Sequence, residues 1–318
     1  MDKKTISLLE AAVRKRQPLR SSTNALRLVN GLGDGLEGLV LEQYGRHFAA
    51  QLFAKRWLRE KEALASFVKE HCQGRYLVIK DRTESVSARP EAFKVSLGIE
   101  DDTSETIVRE NGLDFAVDLN ETLNSGLFLD MRSNRKAVAE LAKGRKVLNC
   151  FAYTCSFGVY CRVAGALSVV NVDISPKSLG RGRLNYELNQ IVPSPNEFIR
   201  ADAVQYLGLA FKKDNRFDLI ILDPPSFARN EGKTFSVKKD LARLIASAIK
   251  VLNPCGRLFV ATNFSGISQD NLEALVSAAA GERRIKRVQH LRQAEDFPGN
   301  GLMPEAYLAA LLVEIGSG

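Results

Sequence analysis

From Met131 to the C-terminus the chain alternates short apolar runs with amphipathic stretches. The runs in RKVLNC, LSVVNVD and FDLIILD are continuous, the pattern of strands buried on both faces of a parallel sheet. They place strands at Lys146–Asn149, Ser168–Asp173 and Phe217–Leu222, with others at Glu197–Ile199 and Gly256–Asn263. Helical spacing fills the intervals over Arg132–Ala142, Phe157–Ala164, Pro176–Gln190, Ala203–Lys212 and Ser236–Leu252. Strand–helix alternation of this kind predicts an α/β fold with a doubly wound, mostly parallel, Rossmann-like sheet. A last apolar segment, Tyr307–Ile315, is expected as an antiparallel strand at the sheet edge.

Up to Leu119 the rhythm differs. Ala25–Val29, Leu39–Gln43, Phe48–Phe53, Arg75–Lys80 and Ile107–Val117 carry strand signals, and Trp57–His71 has helical spacing. The glycines of NGLGDGLEG turn the chain between the first two strands. The expected organisation is an N-terminal helix over residues 1–22, a small α+β domain over residues 23–119 and the α/β domain over residues 120–318.

Composition narrows the function classes. The chain has 318 residues, 45% hydrophobic and 26% charged, ordinary for a globular protein. No apolar run approaches the roughly 20 residues of a membrane span. The first residues, MDKKTISLLEAAVRKRQ, lack the apolar core of a secretory signal and read as an amphipathic helix with a basic face. Cys72, Cys150, Cys155, Cys161 and Cys255 form no CxxC pair, and there are three histidines, so a structural zinc is not expected. The odd cysteine count points to reduced thiols in the cytoplasm. A net charge of +8 suits a polyanionic partner. Lys55, Arg56, Trp57, Arg59, Lys80, Arg82 and Arg89 mix cations with an aromatic, as a surface that grips phosphates and stacks on bases would. A solvated basic face around one core tryptophan explains the same residues equally well.

Ligands of doubly wound sheets bind at the carboxyl ends of the strands, so the residues there carry the chemistry. The first strand runs into a turn of mostly small residues, Ala152–Gly158, that opens a helix but is not GxGxxG, since only Gly158 is a glycine. Asp173 closes the second strand, where such folds place a carboxylate on ribose hydroxyls, and Ser175 before Pro176 is a helix cap. Asp202 follows the third strand, either as an N-cap or as acceptor for an adenine amino group, with the Ala203 backbone beside it. Asp223 follows the fourth, in LDPPSF. Three acids at successive strand ends, without a GxxxxGK[ST] loop, exclude a triphosphate and suit a cationic cofactor with a ribose.

Taken in order, VLNCFAYTCSFGVY, VVNVDISPKSLGRGRLNYELN, RADAVQYL and LIILDPPSF resemble a class I S-adenosylmethionine-dependent methyltransferase. More narrowly, the chain is similar to the bacterial large-subunit 23S ribosomal RNA methyltransferases that act on cytosine C5 or guanine N7. The most specific element is NGLDFAVDLNETLNSGLFLDMRSNR, similar to a family segment ending in GxFLDxRxNR, and the resemblance runs from Leu26 to Ile315. It implies S-adenosyl-L-methionine as cofactor and ribosomal RNA as partner, with no metal and no membrane, and leaves monomer and homodimer open. By the same resemblance Phe128, Asp130, Arg132 and Asn134 line the cofactor site, and Phe151, Tyr153, Thr154, Ser156 and Gly158 cradle the methionine. Asp173 and Ser175, then Asp202 and Ala203, serve the ribose and adenine, and Asp223 and Pro224 flank the methyl. There are departures: Cys155 stands where the family commonly has glycine, and Asn124-Ser125 where it has Lys-Thr. Many members begin with an additional RNA-binding domain. With 24 residues before Ala25 it is expected to be absent here, leaving RNA to the small domain and the basic N-terminal helix.

Methylation of cytosine C5 needs a thiolate that adds to C6. In the C5 members that cysteine ends the strand after the DPP segment, in a pattern like SCSG. Here the strand reads RLFVATNFSG and Phe264 takes its place. Cys255 lies at the other end of the same strand, while Cys150 and Cys155 lie around the cofactor turn. The expected acceptor is therefore a base nitrogen, aimed by Asp223 and the Pro224 carbonyl, stacked on Phe227 and bonded by Asn263. A C5 enzyme using Cys155 and a non-catalytic, cofactor-binding RNA assembly factor are the alternatives. Small-molecule methylation fits less well with the charge and the extra domain.

Overall fold

The computed structural model describes residues 1–83, 92–96, 103–121, 124–230, 233–299 and 308–317, with the backbone alone at 92–96, 228–230 and 233–234. The chain divides into two compact units, Met1–Arg132 with Ala294–Glu305, and Ser133–Gln293 with Ala306–Gly318.

The first unit opens with helix α1 (Lys3–Arg16), capped by the Asp2 carboxylate, which accepts the Thr5 N–H at 2.7 Å. Strands β1 (Ala25–Asn30), β2 (Leu39–Tyr44) and β3 (His47–Leu52) follow. Helices α2 (Lys55–Arg59) and α3 (Lys61–Cys72) then cross to β4 (Tyr76–Asp81), which pairs parallel to β3, and β5 (Ala92–Ser96) completes a five-stranded sheet. Strands β6 (Glu105–Glu110) and β7 (Leu113–Asp118) form a separate hairpin.

Several expectations change here. The helix expected over Trp57–His71 is two helices that break at Glu60. The strand expected over Ile107–Val117 is the β6–β7 hairpin, turned by Asn111 and Gly112 with φ of 50° and 83°. Trp57 is fully buried and its indole N–H donates to the Glu37 carbonyl at 2.9 Å, so it does not stack on bases. Lys80 is buried as well, its ammonium donating to the Glu121 carbonyl. Lys55, Arg56 and Arg59 are exposed, and Arg89 lies outside the described residues. Arg16, part of the supposed basic face of α1, is also buried.

The unit is tied by buried ionic contacts between residues far apart in sequence. The Arg16 guanidinium pairs with Asp34 at 2.5 and 2.7 Å and donates to the Asp296 carbonyl at 3.0 Å. The Asp296 carboxylate takes Arg132 at 2.5 Å and the Arg27 N–H at 2.7 Å. Arg27 also covers the Phe297 ring, and Asn30 donates to the Pro298 carbonyl. Asp296, Phe297 and Pro298 are thereby anchored to the N-terminal part of the unit.

The second unit carries α4 (Arg132–Ala139), whose first residue closes the first unit, then β8 (Lys146–Cys150), α5 (Ser156–Val163), β9 (Ser168–Asp173), α6 (Pro176–Leu188), β10 (Phe198–Arg200) and α7 (Ala203–Lys212). It continues with β11 (Phe217–Leu222), the short strands β12 (Phe227–Asn230) and β13 (Lys233–Ser236), α8 (Val237–Lys250) and β14 (Leu252–Thr262). Helix α9 (Gln269–Ala280), β15 (Ile285–Leu291) and β16 (Ala309–Ile315) complete it. The sheet order is β10-β9-β8-β11-β14-β16-β15. Strand β16 is antiparallel to both neighbours, as expected, but it is internal; the edge is β15. Strand β15 exposes Lys286, Arg287, Gln289 and His290, a polar edge that blunts pairing with other chains and leaves no apolar run to read. Leu207, Leu241, Leu244, Ile245, Leu272 and Val276 pack helices α7, α8 and α9 on one face of the sheet. On the other face Phe157 of α5 meets Phe259 of β14 at 5.2 Å.

Replacing Asp296 by alanine leaves the buried Arg132 guanidinium without its carboxylate. It is expected to destabilise the first unit by roughly 3–5 kcal/mol, measured by denaturant unfolding followed through the fluorescence of Trp57, the chain's single tryptophan. A loss under about 1 kcal/mol would put the pair in the class of exposed ion pairs.

Candidate active site

Chain order reverses between β8 and β11: β9 and β10 lie to one side, β14 to the other. The register pairs Cys150 with Val172 on one neighbour and with Leu222 on the other. Asp173 and Asp223 therefore flank the exit of β8, separated by two strand spacings, about 10 Å.

The turn leaving β8 is made without glycine. Phe151, Tyr153 and Cys155 have φ of 57°, 49° and 59°, left-handed backbone that costs side-chain-bearing residues roughly 1–2 kcal/mol each. The turn leads into the N-terminus of α5, and its own Ala152, Tyr153 and Cys155 N–H groups are bonded within the protein. The conformation is held from outside. The Tyr153 N–H donates to Asp173 Oδ2 at 2.8 Å, the Thr154 carbonyl accepts from buried Asn185 at 2.9 Å, and the Cys155 N–H donates to the Ala152 carbonyl at 2.7 Å. The Phe151 ring meets Phe235 of β13 at 5.7 Å. Cys155 is completely buried against Gly182 of α6, where a Cβ would stand 2.5 Å from its sulfur. Gly158 is needed for another close approach, since a Cβ there would lie 2.3 Å from Asn171 Oδ1.

Behind the turn runs a buried polar chain not anticipated in the sequence: Asn149 donates to Asn171 at 2.9 Å, and Asn171 to the Tyr186 hydroxyl at 2.9 Å. Its trace is visible in the sequence as an asparagine inside each of two apolar runs, VLNC and VVNV.

The other strand ends are equally specific. Asp173 Oδ1 accepts the Ser175 N–H at 2.8 Å, so one carboxylate holds both flanking loops, and Ser175 caps α6 by accepting the Ser178 N–H at 3.1 Å. Asp202 caps α7 through the Gln205 N–H at 3.0 Å, and Ala203 is buried beside it. Asp223 is half-buried, Pro224 buried and Phe227 53% exposed. The Ser226 hydroxyl donates to Asn263 Oδ1 at 2.8 Å, joining the DPPSF turn to the end of β14. Phe151, Tyr153, Thr154, Ser156, Gly158, Asp173, Ser175, Asp202, Ala203, Asp223, Pro224, Phe227 and Asn263 thus share one end of one sheet. Asn134 is buried in α4 of the same unit, while Phe128, Asp130 and Arg132 belong to the first unit. Among the described residues no group of three or more His, Cys, Asp or Glu is placed to hold a metal, and no helix is long and apolar enough to cross a membrane.

A family model for S-adenosylmethionine-dependent methyltransferases matches residues 32–314. The chain belongs to this family. Ribosomal RNA large subunit methyltransferase I of Aeromonas salmonicida is 31% identical over 96% of this chain and 78% of its own. YwbD of Bacillus subtilis is 33% identical over 97% of this chain and 80% of its own. A crystal structure determined as a complex with SAH superposes with a TM-score of 0.86 at 26% identity, covering 97% of this chain and 80% of that one.

The methyltransferase is thus an S-adenosylmethionine enzyme, and its strand ends fit that cofactor chemically. Carboxylates and carbonyls suit a sulfonium and a ribose diol, and a helix start such as that of α5 suits the methionine carboxylate. The thiols, by contrast, are withheld. Burial, then the nearby Asp173 charge, pushes the Cys155 thiol well above its ordinary range. Burial raises Cys161 to about 12, Cys72 to about 11, and Cys150 as well. Cys255 is exposed but lies toward the amino end of β14.

Two outcomes follow for the methyltransferase. Asp173→Asn sets an amide N–H₂ against either the Tyr153 or the Ser175 N–H. It is expected to weaken SAH binding about 100-fold by calorimetry, nearly as far as Asp173→Ala, from the loss of bonds worth roughly 1.5–3 kcal/mol each; unchanged affinity would show that the carboxylate does not hold the turn. A raised pKa keeps a thiol protonated until the pH reaches that value, so in the folded protein at pH 8 an alkylating agent is expected to label Cys255 and spare Cys155. Peptide mapping reads this directly, and rapid labelling of Cys155 would contradict its burial.

Proposed function

We propose that this enzyme methylates a base nitrogen of large-subunit ribosomal RNA in the cytoplasm. The observation that carries the choice of atom is the thiol arrangement: Phe264 stands half-buried where a C5 enzyme needs its cysteine, and Cys155 faces Gly182 from inside the fold. The relatives named as ribosomal RNA large subunit methyltransferases, matched over nearly the whole chain, and the net charge of +8 support the substrate class. All five cysteines are free thiols, in keeping with a reducing compartment.

When bound, S-adenosylmethionine supplies a methyl made electrophilic by its sulfonium. The protein's residues do the rest by placement. The Phe151–Gly158 turn holds the methionine, Asp173 with Ser175 the ribose, and Asp202 with Ala203 the adenine, with Asn134 of the same unit completing the cofactor's surroundings; the Arg132 guanidinium is committed to Asp296 instead. Asp223 and the Pro224 carbonyl accept hydrogen bonds from the base and direct a nitrogen lone pair at the methyl. Phe227 stacks on the ring. Because the Ser226 hydroxyl occupies Asn263 Oδ1, the Asn263 amide N–H₂ is left to face the base edge.

Incubation with labelled S-adenosylmethionine and unmodified large-subunit ribosomal RNA, followed by nucleoside mass spectrometry, is expected to yield an N-methylated nucleoside. Cys155→Ala is expected to retain activity, and Asp223→Ala to lower kcat about 100-fold. 5-Methylcytidine as the product, lost in Cys155→Ala, would overturn the assignment.

A further inference from the structure

The connection from Leu222 to Val237 is far longer than the roughly 2–6 residues that usually carry a sheet strand into the next helix. It holds the β12–β13 ribbon, paired from Phe227 with Ser236 to Asn230 with Lys233. The ribbon adds no strand to the main sheet, yet it rises from the methyl-proximal turn. It is seated at three points: Ser226 on Asn263, the Val237 N–H on the Ser226 carbonyl at 3.2 Å, and Phe235 on Phe151 of the cofactor turn. An element fastened this way beside a reactive centre, and outside the main sheet, is built to meet a substrate.

Its chemistry says which kind. Phe227 is 53% exposed at the foot of the ribbon, an aromatic face turned partly to solvent. Lys238 and Lys239, in the first turn of α8, are both exposed. Cations at a helix N-terminus oppose the helix dipole, so they are not there to stabilise α8. An exposed aromatic beside a pair of lysines is the combination that binds single-stranded nucleic acid, the ring stacking on a base and the ammonium groups neutralising phosphates.

We infer that the β12–β13 ribbon and the first turn of α8 form a clamp for the single-stranded RNA segment carrying the target nucleotide. Lys238 and Lys239 hold its phosphates, and the Phe235–Phe151 contact keeps the clamp in register with the cofactor turn. The inference rests on RNA being the substrate, as proposed above.

The test compares Lys238→Ala/Lys239→Ala with wild type and with a control, Lys212→Ala/Lys213→Ala. The control removes the same charge from exposed residues where α7 runs out toward the amino end of β11. The probe is transcribed, unmodified large-subunit ribosomal RNA. The clamp variant is expected to raise KM for RNA about tenfold while leaving SAH affinity and Tm unchanged. The slope of log K against log salt is expected to shrink by about 1.4, at about 0.7 per phosphate on a single strand. The control is expected to match wild type. Wild-type activity on RNA with a clamp variant indistinguishable from it, or with both variants equally impaired, overturns the clamp. Absence of RNA methylation by wild type itself overturns the substrate reading instead. Phe235→Ala supplies a second arm: a rise in KM for RNA larger than any change in Tm accounts for supports the register contact, and unchanged KM for RNA overturns it.

Discussion

The Asp173 carboxylate holds the site together. One oxygen takes the Tyr153 N–H and the other the Ser175 N–H, both at 2.8 Å, so a single side chain at the end of β9 fixes the turn leaving β8 and the entry to α6. The turn needs such help. Three of its residues sit in left-handed backbone without being glycine, a few kcal/mol of strain that local interactions alone would not sustain. The strain is offset by Asp173, by Asn185 on the Thr154 carbonyl, and by the close fit of Cys155 to Gly182. The turn's backbone is thus fixed by the protein's own contacts, which, in the cofactor role proposed for it, spares the cofactor the cost of ordering it.

The same construction decides what the cysteines can do. In this turn Cys155 serves as a small apolar filler whose sulfur points inward, and burial keeps it protonated. The departure from the family's glycine is thus a packing solution: Gly182 of α6 provides the space that a glycine in the turn would otherwise have provided. With no thiolate offered to activate a base carbon, the acceptor proposed above is an atom that already has a lone pair.

Much of the second unit was legible because buried parallel strands write themselves as unbroken apolar runs. Lys146–Cys150, Ser168–Asp173 and Phe217–Leu222 stand where the runs place them, and the acids at their ends follow. Ser175 and Asp202 were legible as caps. The left-handed turn was not, since Phe151, Tyr153 and Cys155 carry no local sign of glycine-like backbone. Strand β15 was missed as the edge because its exposed face is polar. In the first unit Trp57 read equally well as a base-stacking or a core residue and Lys80 as one of several surface cations; both are buried and donate to the Glu37 and Glu121 carbonyls, partners that residue type alone does not reveal. Asp296 is the extreme case: it serves Arg27, 269 positions away, and only the folded chain brings them together.

The central claim is that a pre-shaped turn, held by Asp173, receives the cofactor. A crystal structure of the protein with SAH tests it most directly. Phe151, Tyr153 and Cys155 are expected to keep positive φ, with Asp173 retaining the Tyr153 N–H while bonding the ribose hydroxyls. A turn that refolds around SAH, or a ribose bound away from Asp173, would contradict it.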